Sequence, residues 1–264
     1  MLGAMRRMVL VLALVLVSQV AVADDELPLI ATVSLGRSKV VIRGELATKA
    51  QRAQAKQLVE QVVRDVQRRF ARAADTPDPD ITLLVFSSAA RYREVAGSLT
   101  RPIPSDWGFY LPAKRIAIAN FGQSIGNLRH ELAHPLIEDD YPGIPAWLNE
   151  GVGALYGTAA WSKSGFKFLV NYRLRDLQQA LAAGELPPVG ALAEVGEPDV
   201  HGAKAGMWYA YARYVLLYLD AKGTLADVYG ELRAAGADAR KQRAVLERHV
   251  DDTAFRAWAK RLRY

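Results

Sequence analysis

The chain has 264 residues, 51% of them hydrophobic and 23% charged, a balance that supports a packed core and excludes wholesale disorder. Lys and Arg number 34 against 28 Asp and Glu, a net charge of +6; without Arg6 and Arg7 the balance is 32 against 28, too mild an excess to imply nucleic acid as a partner. There are no cysteines, which rules out disulfides, thiolate metal sites and a cysteine nucleophile.

Residues 1–23 predict a secretory signal peptide. Arg6 and Arg7 form a basic head, Met8–Val17 is an unbroken apolar stretch, and Ala21-Val22-Ala23 places small residues before Asp24-Asp25-Glu26. Cleavage is expected near Ala23, giving an exported chain, periplasmic or secreted. The apolar stretch is too short for a bilayer, and no later window resembles a span, so no stable membrane span is expected after cleavage.

Leu29–Val33 and Lys39–Arg43 read as strands around a turn at Gly36-Arg37-Ser38. Thr48–Ala74 reads as a long helix. Leu58, Val59, Val62, Val63, Val66 and Phe70 form its apolar face, and Arg64, Arg68 and Arg72 a solvated basic stripe. Asp75–Asp80 breaks the chain. Ile81–Phe86 is a strand, Ser87 or Ser88 caps a helix through about Ala96, and Arg101–Pro104 is a loop. Arg115–Asn120 is another strand, Gln123–Leu136 a helix, Glu138–Pro145 a loop and Ala146–Tyr156 a helix. From Asn171 onward helices dominate. Strands mixed with helices, followed by a helical end, predict an α+β fold.

The chemistry concentrates in Leu128-Arg129-His130-Glu131-Leu132-Ala133-His134. On a helix, residues four apart lie one above the other, so the imidazoles of His130 and His134 can face one metal ion. Glu131 is rotated about 100° from His130, beside such an ion, where a carboxylate can take a proton from bound water. Catalytic zinc takes three protein ligands and keeps one position open, so a third ligand is needed. Glu138, Asp140 and Glu150 compete. Pro135 is expected to disturb the helix before Glu138, and it lacks an N–H. Asp140 has the spacing of a metzincin third ligand, but the glycine that motif requires is replaced by Ile137. Glu150, in Pro145-Ala146-Trp147-Leu148-Asn149-Glu150-Gly151, is the best candidate. A turn through Pro142, Gly143 and Pro145 can bring a second helix back onto the first. Gly151 and Gly153 lower helix propensity and fit a close approach of backbones there.

The pair of segments, His-Glu-x-x-His and Pro-x-Trp-Leu-Asn-Glu-Gly, resembles a gluzincin, a zinc metallopeptidase of the peptidase MA-like group. The specific likeness covers His130–Tyr156, and a looser one runs from Ile81 to Leu219. It implies a zincin-like fold with Zn2+ held by His130, His134 and Glu150, and Glu131 as general base. It also implies an edge strand that binds a peptide or protein substrate in extended form, here residues 115–120. The helix Tyr209-Ala210-Tyr211-Ala212-Arg213-Tyr214 resembles one that gives some members a tyrosine donor. Tyr209 is the candidate, and Tyr211, about 200° around the helix, the fallback. Ala154 stands where some members carry an acid that orients a histidine, so that partner must come from elsewhere. His201 is a further candidate for the cleft, His249 reads as a surface residue, and Trp147 and Trp208 as core anchors.

The resulting expectation is a signal peptide over 1–23, a hairpin and long helix over 24–80, a zincin-like core over 81–170 and a helical subdomain over 171–264. The function it implies is an exported zinc-dependent metallohydrolase, a peptidase by resemblance. The alternative is a non-catalytic envelope binding protein on the same scaffold.

Overall fold

A computed structural model describes residues 27–70 and 78–264. The expected signal segment, Arg72 and the start of the 75–80 breaker lie outside them. The described chain is α+β, with a five-stranded mixed sheet in its first half and packed helices in its second.

Strands β1 (Leu29–Leu35) and β2 (Ser38–Glu45) form the expected hairpin, turning at Gly36 with a positive φ of 55°. Helix α1 (Lys49–Arg69) starts at Thr48, whose side chain accepts from the Gln51 N–H while Gln51 answers the Thr48 N–H. Its predicted apolar stripe is buried on the sheet. Strand β3 (Ile81–Phe86) runs parallel to β2 and to β5 (Ile116–Asn120), and helix α2 (Ala89–Leu99), capped by Ser88, follows β3.

The sheet order is β1-β2-β3-β5-β4, with β4 (Gly108–Leu111) antiparallel to β5. This corrects the expected edge strand. Residues 116–120 are interior, buried throughout and hydrogen-bonded on both sides. The edge is β4, which sequence reading left unassigned because it is four residues long and begins with glycine. The pattern of β5 explains its place. Ala117 and Ala119 join the core on one face and Ile116 and Ile118 the core on the other, so neither side is free for solvent. Asn120 is buried as well, its amide donating to the Asp106 carbonyl.

Helix α3 (Ile125–Asp140) carries the His-Glu-x-x-His segment along the face of β5 and β4. It passes through Pro135 and runs four residues beyond Leu136, so Glu138 and Asp140 are helical rather than in a loop. A turn with Gly143 at φ 74° reverses the chain into α4 (Ala146–Gly157), which lies against α3. A small hairpin, β6 (Ala159–Ser162) and β7 (Gly165–Phe168), follows. The helical remainder comprises α5 (Leu174–Ala183), α6 (Glu197–Val200), α7 (Ala205–Ala221), α8 (Leu225–Ala235), α9 (Ala239–His249) and α10 (Asp252–Arg261). Helix α7 packs along α4, with Leu216 and Ala212 against Gly151, where a Cβ would come within 2.8 Å of the Leu216 methyl. One continuous core runs from the first hairpin through α3 and α4 to α10, across the boundaries expected at 80 and 170. Among the described residues no helix is long and apolar enough to cross a membrane.

A buried polar hub fastens α4, one of the two helices of the candidate site. Asp65 on α1, fully buried, accepts from Arg68, from Arg69 at 3.2 Å, from the Tyr156 hydroxyl at 2.8 Å and from the Phe166 N–H at 3.2 Å. Arg69 also donates to Asp220 and to the Phe166 carbonyl, both at 2.7 Å. This hub ties α1, α4, the small hairpin and α7 together. Arg68 is therefore half of an ion pair rather than one of a free stripe, while Arg64 is exposed as expected.

Candidate metal centre

His130, His134 and Glu150 converge. One ligand atom from each lies within 4.8 Å of the others, and Glu150 Oε2 is 3.3 Å from His130 Nε2. Each residue arrives as its helix dictates: the imidazoles are one turn apart on α3, and Glu150 is in the second turn of α4, directed across the helix interface. Gly153 makes room for them. A Cβ there would stand 3.0 Å from Cε1 of both imidazoles. Gly126 of α3 and Gly157 of α4 also meet closely; a Cβ on Gly126 would be 2.4 Å from the Gly157 carbonyl oxygen. Asp140 is not part of the cluster. It points away, accepting from Arg233 and from the Tyr229 hydroxyl at 3.0 Å.

Glu138 also stays outside the ligand set, in a supporting role. Its Oε1 accepts from the Asn149 amide nitrogen at 3.0 Å, and the Asn149 oxygen lies 2.9 Å from His134 Nδ1. An ionised carboxylate accepts only, so Glu138 turns the Asn149 NH2 towards itself and the amide oxygen towards the imidazole. That oxygen in turn selects the tautomer with the proton on His134 Nδ1, leaving the Nε2 lone pair for a ligand. The orienting group missing at Ala154 is thus supplied by Asn149, the residue before the candidate ligand.

Glu131 is 7% exposed and flanks the cluster on the side of the edge strand, where a Cβ on Gly108 would come 2.7 Å from its Cγ. Gly108 and Tyr110 of β4 face the site, while Phe109 turns into the core on the opposite face of the sheet. Burial pushes the Glu131 carboxyl up to about 8, opposed by His134 and reinforced by Glu150. Burial also works against ionised Glu150, yet His134, His130 and the Tyr209 hydroxyl hold it down at about 2. Burial raises the Glu138 carboxyl, against the pull of His134 and Asn149.

Tyr209 and Tyr211 separate cleanly. Tyr209 lines the cleft with its hydroxyl turned to Glu150, and burial followed by the Glu150 charge suppresses its ionisation. Tyr211 is in the core, donating to the Pro187 carbonyl at 2.9 Å and packed on Phe255. His201 lines the rim, largely exposed and 3.1 Å from Glu197. His249 pairs with Glu231 away from the cleft. Trp147 is fully buried and Trp208 packs against the core.

The comparisons with known proteins add no family. No protein-family model matches the chain, and no curated protein is significantly similar to it. The site is therefore read from its own geometry.

That geometry suits a divalent cation. Two imidazoles and a carboxylate meet face to face, and Glu150 Oε2 is buried without a hydrogen-bond donor. Ring nitrogens and a carboxylate oxygen that converge this closely away from solvent can share one cation, which would satisfy that buried oxygen. Two nitrogen donors and one oxygen donor could hold a metal ion, and the open side faces a cleft of about 920 Å³. Sequence reading missed Asn149, the supporting role of Glu138, and Gly108 and Tyr110 of the edge strand. Only Asn149 carried a signal, as an amide side chain adjacent to the ligand glutamate.

Proposed function

We propose that the chain is a zinc-dependent hydrolase of the gluzincin kind, acting on peptide bonds on a zincin-like scaffold. The observation that carries the reading is the convergence of His130, His134 and Glu150 with Glu131 beside them, at the floor of an open cleft. Zinc held by the three ligands would supply Lewis acidity towards a carbonyl oxygen and a water molecule. The chain's own residues account for the rest. Glu131 takes the proton of the attacking water on its carboxylate and returns it to the leaving nitrogen. With its carboxyl raised to about 8, it needs a neighbouring positive charge to be ionised at neutral pH, and the adjacent ligand set is where such a charge would sit. Asn149 and Glu138 hold the His134 tautomer. In this reading the Tyr209 hydroxyl, turned to Glu150 in the metal-free chain, donates to an oxygen that gains negative charge, which favours the transition state over the ground state. The outer edge of β4, unpaired among the described residues, offers backbone groups to an extended peptide, the role expected from the sequence for residues 115–120. Export through residues 1–23 would place this activity outside the cytoplasm.

The test is metal content together with turnover. The purified protein should carry about one zinc per chain and cleave a mixed peptide library in a chelator-sensitive way. Glu150→Ala should lose most of the zinc and Asp140→Ala should retain it. Full zinc occupancy in Glu150→Ala would refute the ligand set. Turnover by Glu131→Gln at the native rate would refute the mechanism. A Glu131→Gln protein that keeps its biological effect while His130→Ala abolishes it would favour the non-catalytic binding protein instead.

A further inference from the structure

Among the described residues that line the cleft, Arg173 is the one lysine or arginine. It follows the small hairpin and directly precedes α5. Its guanidinium carbon lies 4.6 Å from the centre of the Tyr209 ring and 5.4 Å from that of Tyr172. Among the described residues no carboxylate pairs with it. The acids of the cleft are otherwise engaged: Glu150 with the histidines, Glu138 with Asn149, Glu197 with His201. Glu131 borders β4.

The segment that carries Arg173 is held firmly. Asn171 is 4% exposed, its N–H donates to the Tyr214 hydroxyl at 3.1 Å, and its side-chain oxygen accepts from the Arg173 N–H at 3.2 Å. The buried Arg213 grips the Leu169 carbonyl just upstream and the Ala154 carbonyl on α4. The loop position is therefore tied to the helix that bears Glu150.

Resting on a π-face occupies the flat side of a guanidinium and none of its N–H donors. The in-plane donors remain available in the fork geometry that matches a carboxylate. We propose that Arg173 receives a carboxylate of the substrate, so that the site selects peptides with an acidic group close to the bond that is cut. The inference rests on the hydrolase reading for its substrate class. Tyr209 then has two faces of use, its hydroxyl towards the ligand cluster and its ring under the selecting cation. A carboxylate can come from a chain terminus or from an acidic side chain, and the chemistry at Arg173 is the same.

The experiment measures binding, so that it reads separately from turnover. A degenerate pool of N-acetylated tetrapeptides of neutral residues is prepared as free acids, as carboxy-terminal amides, and as amides with one Glu at each position in turn. Each pool is titrated against the Glu131→Gln protein and against the same protein carrying Arg173→Met or Arg173→Lys. Metal content confirms that each variant keeps its site. The acid-bearing peptides should bind about 10- to 100-fold more tightly than the neutral amides, the span of a charge-assisted hydrogen-bonded pair. Preference for the free acids would assign the terminus as the source, and preference for the Glu-bearing amides the side chain. Arg173→Met should erase the preference and Arg173→Lys keep part of it. Equal binding of all three pools, binding of none, or a preference that survives Arg173→Met would overturn the proposal. Zinc content and library turnover report on the hydrolase reading independently of any of these outcomes.

Discussion

Asp65 and Glu131 are both buried acids, on helices that pack on the same face of the sheet. Asp65 accepts from two arginines, a tyrosine hydroxyl and a backbone N–H, so its charge is compensated where it stands. Glu131 has a glycine against its side chain and, among the described residues, no donor on its carboxylate; burial lifts it to about 8. Burial alone therefore does not distinguish a rivet from a reactive group. The distinguishing feature is whether the fold has already spent its donors on the acid.

The sharpest way to break this contrast is to remove each charge in turn. Glu131→Gln should lower turnover by about 10²- to 10⁴-fold while zinc content and thermal midpoint hold, because the removed charge has no partner to strand. Asp65→Ala should do the reverse. It leaves the Tyr156 hydroxyl and the Phe166 N–H without their acceptor and Arg69 with Asp220 as its remaining carboxylate, and should cost about 3–5 kcal/mol in chemical denaturation. If the two variants exchanged these outcomes, the division into rivet and base would be wrong.

A second contrast, between the two tyrosines of α7, predicts a smaller effect. Tyr209→Phe should lower kcat by about 10²-fold with KM and zinc little changed. Tyr211→Phe, which loses only its bond to the Pro187 carbonyl, should leave kcat as it was and cost about 1 kcal/mol of stability. Equal rates for Tyr209→Phe and the native protein would move the oxyanion donor elsewhere, with His201 the next to test.

The supporting shell comes next. Asn149→Ala should weaken zinc affinity by about 10- to 100-fold, measured by competition with a chelator, because His134 loses the partner that fixes its tautomer. Unchanged affinity would show that the imidazole is oriented by packing alone.

The smallest effect is the pH dependence of the metal-free protein. Glu131 keeps its proton up to about 8 in the folded chain, whereas an unfolded glutamate releases it near 4.5. Between those values the native state binds the extra proton, so this group's contribution to stability falls as pH rises. Glu150 acts in the opposite sense. Held at about 2, it adds stability above 4.5 that is lost as pH falls towards 2. Thermal midpoints of the metal-free protein should therefore decline from pH 5 to 8, and Glu131→Gln should flatten that decline. The same slope in both proteins would assign it to other groups.

Sequence alone determined what depends on spacing along one element. The period of helix α1, the first hairpin with its glycine turn, and the placing of His130 and His134 one turn apart with Glu131 to one side follow from 3.6 residues per turn and from turn chemistry, which are local. Glu150 was legible because a turn with Gly143 between two prolines constrains how α4 returns. What only the tertiary structure decided depends on residues far apart in the chain. Asp65 gives no local sign that Tyr156 and Phe166 will close on it. The exchange of edge between residues 115–120 and Gly108–Leu111 turns on which strand finds a second neighbour, and a run of small and branched residues does not state that. The choice between Tyr209 and Tyr211 depends on the rotation of α7 against α4, fixed by Gly151 admitting Leu216, a contact between residues 65 positions apart. Helix period places side chains relative to one another, and only packing places a helix face relative to the rest of the molecule.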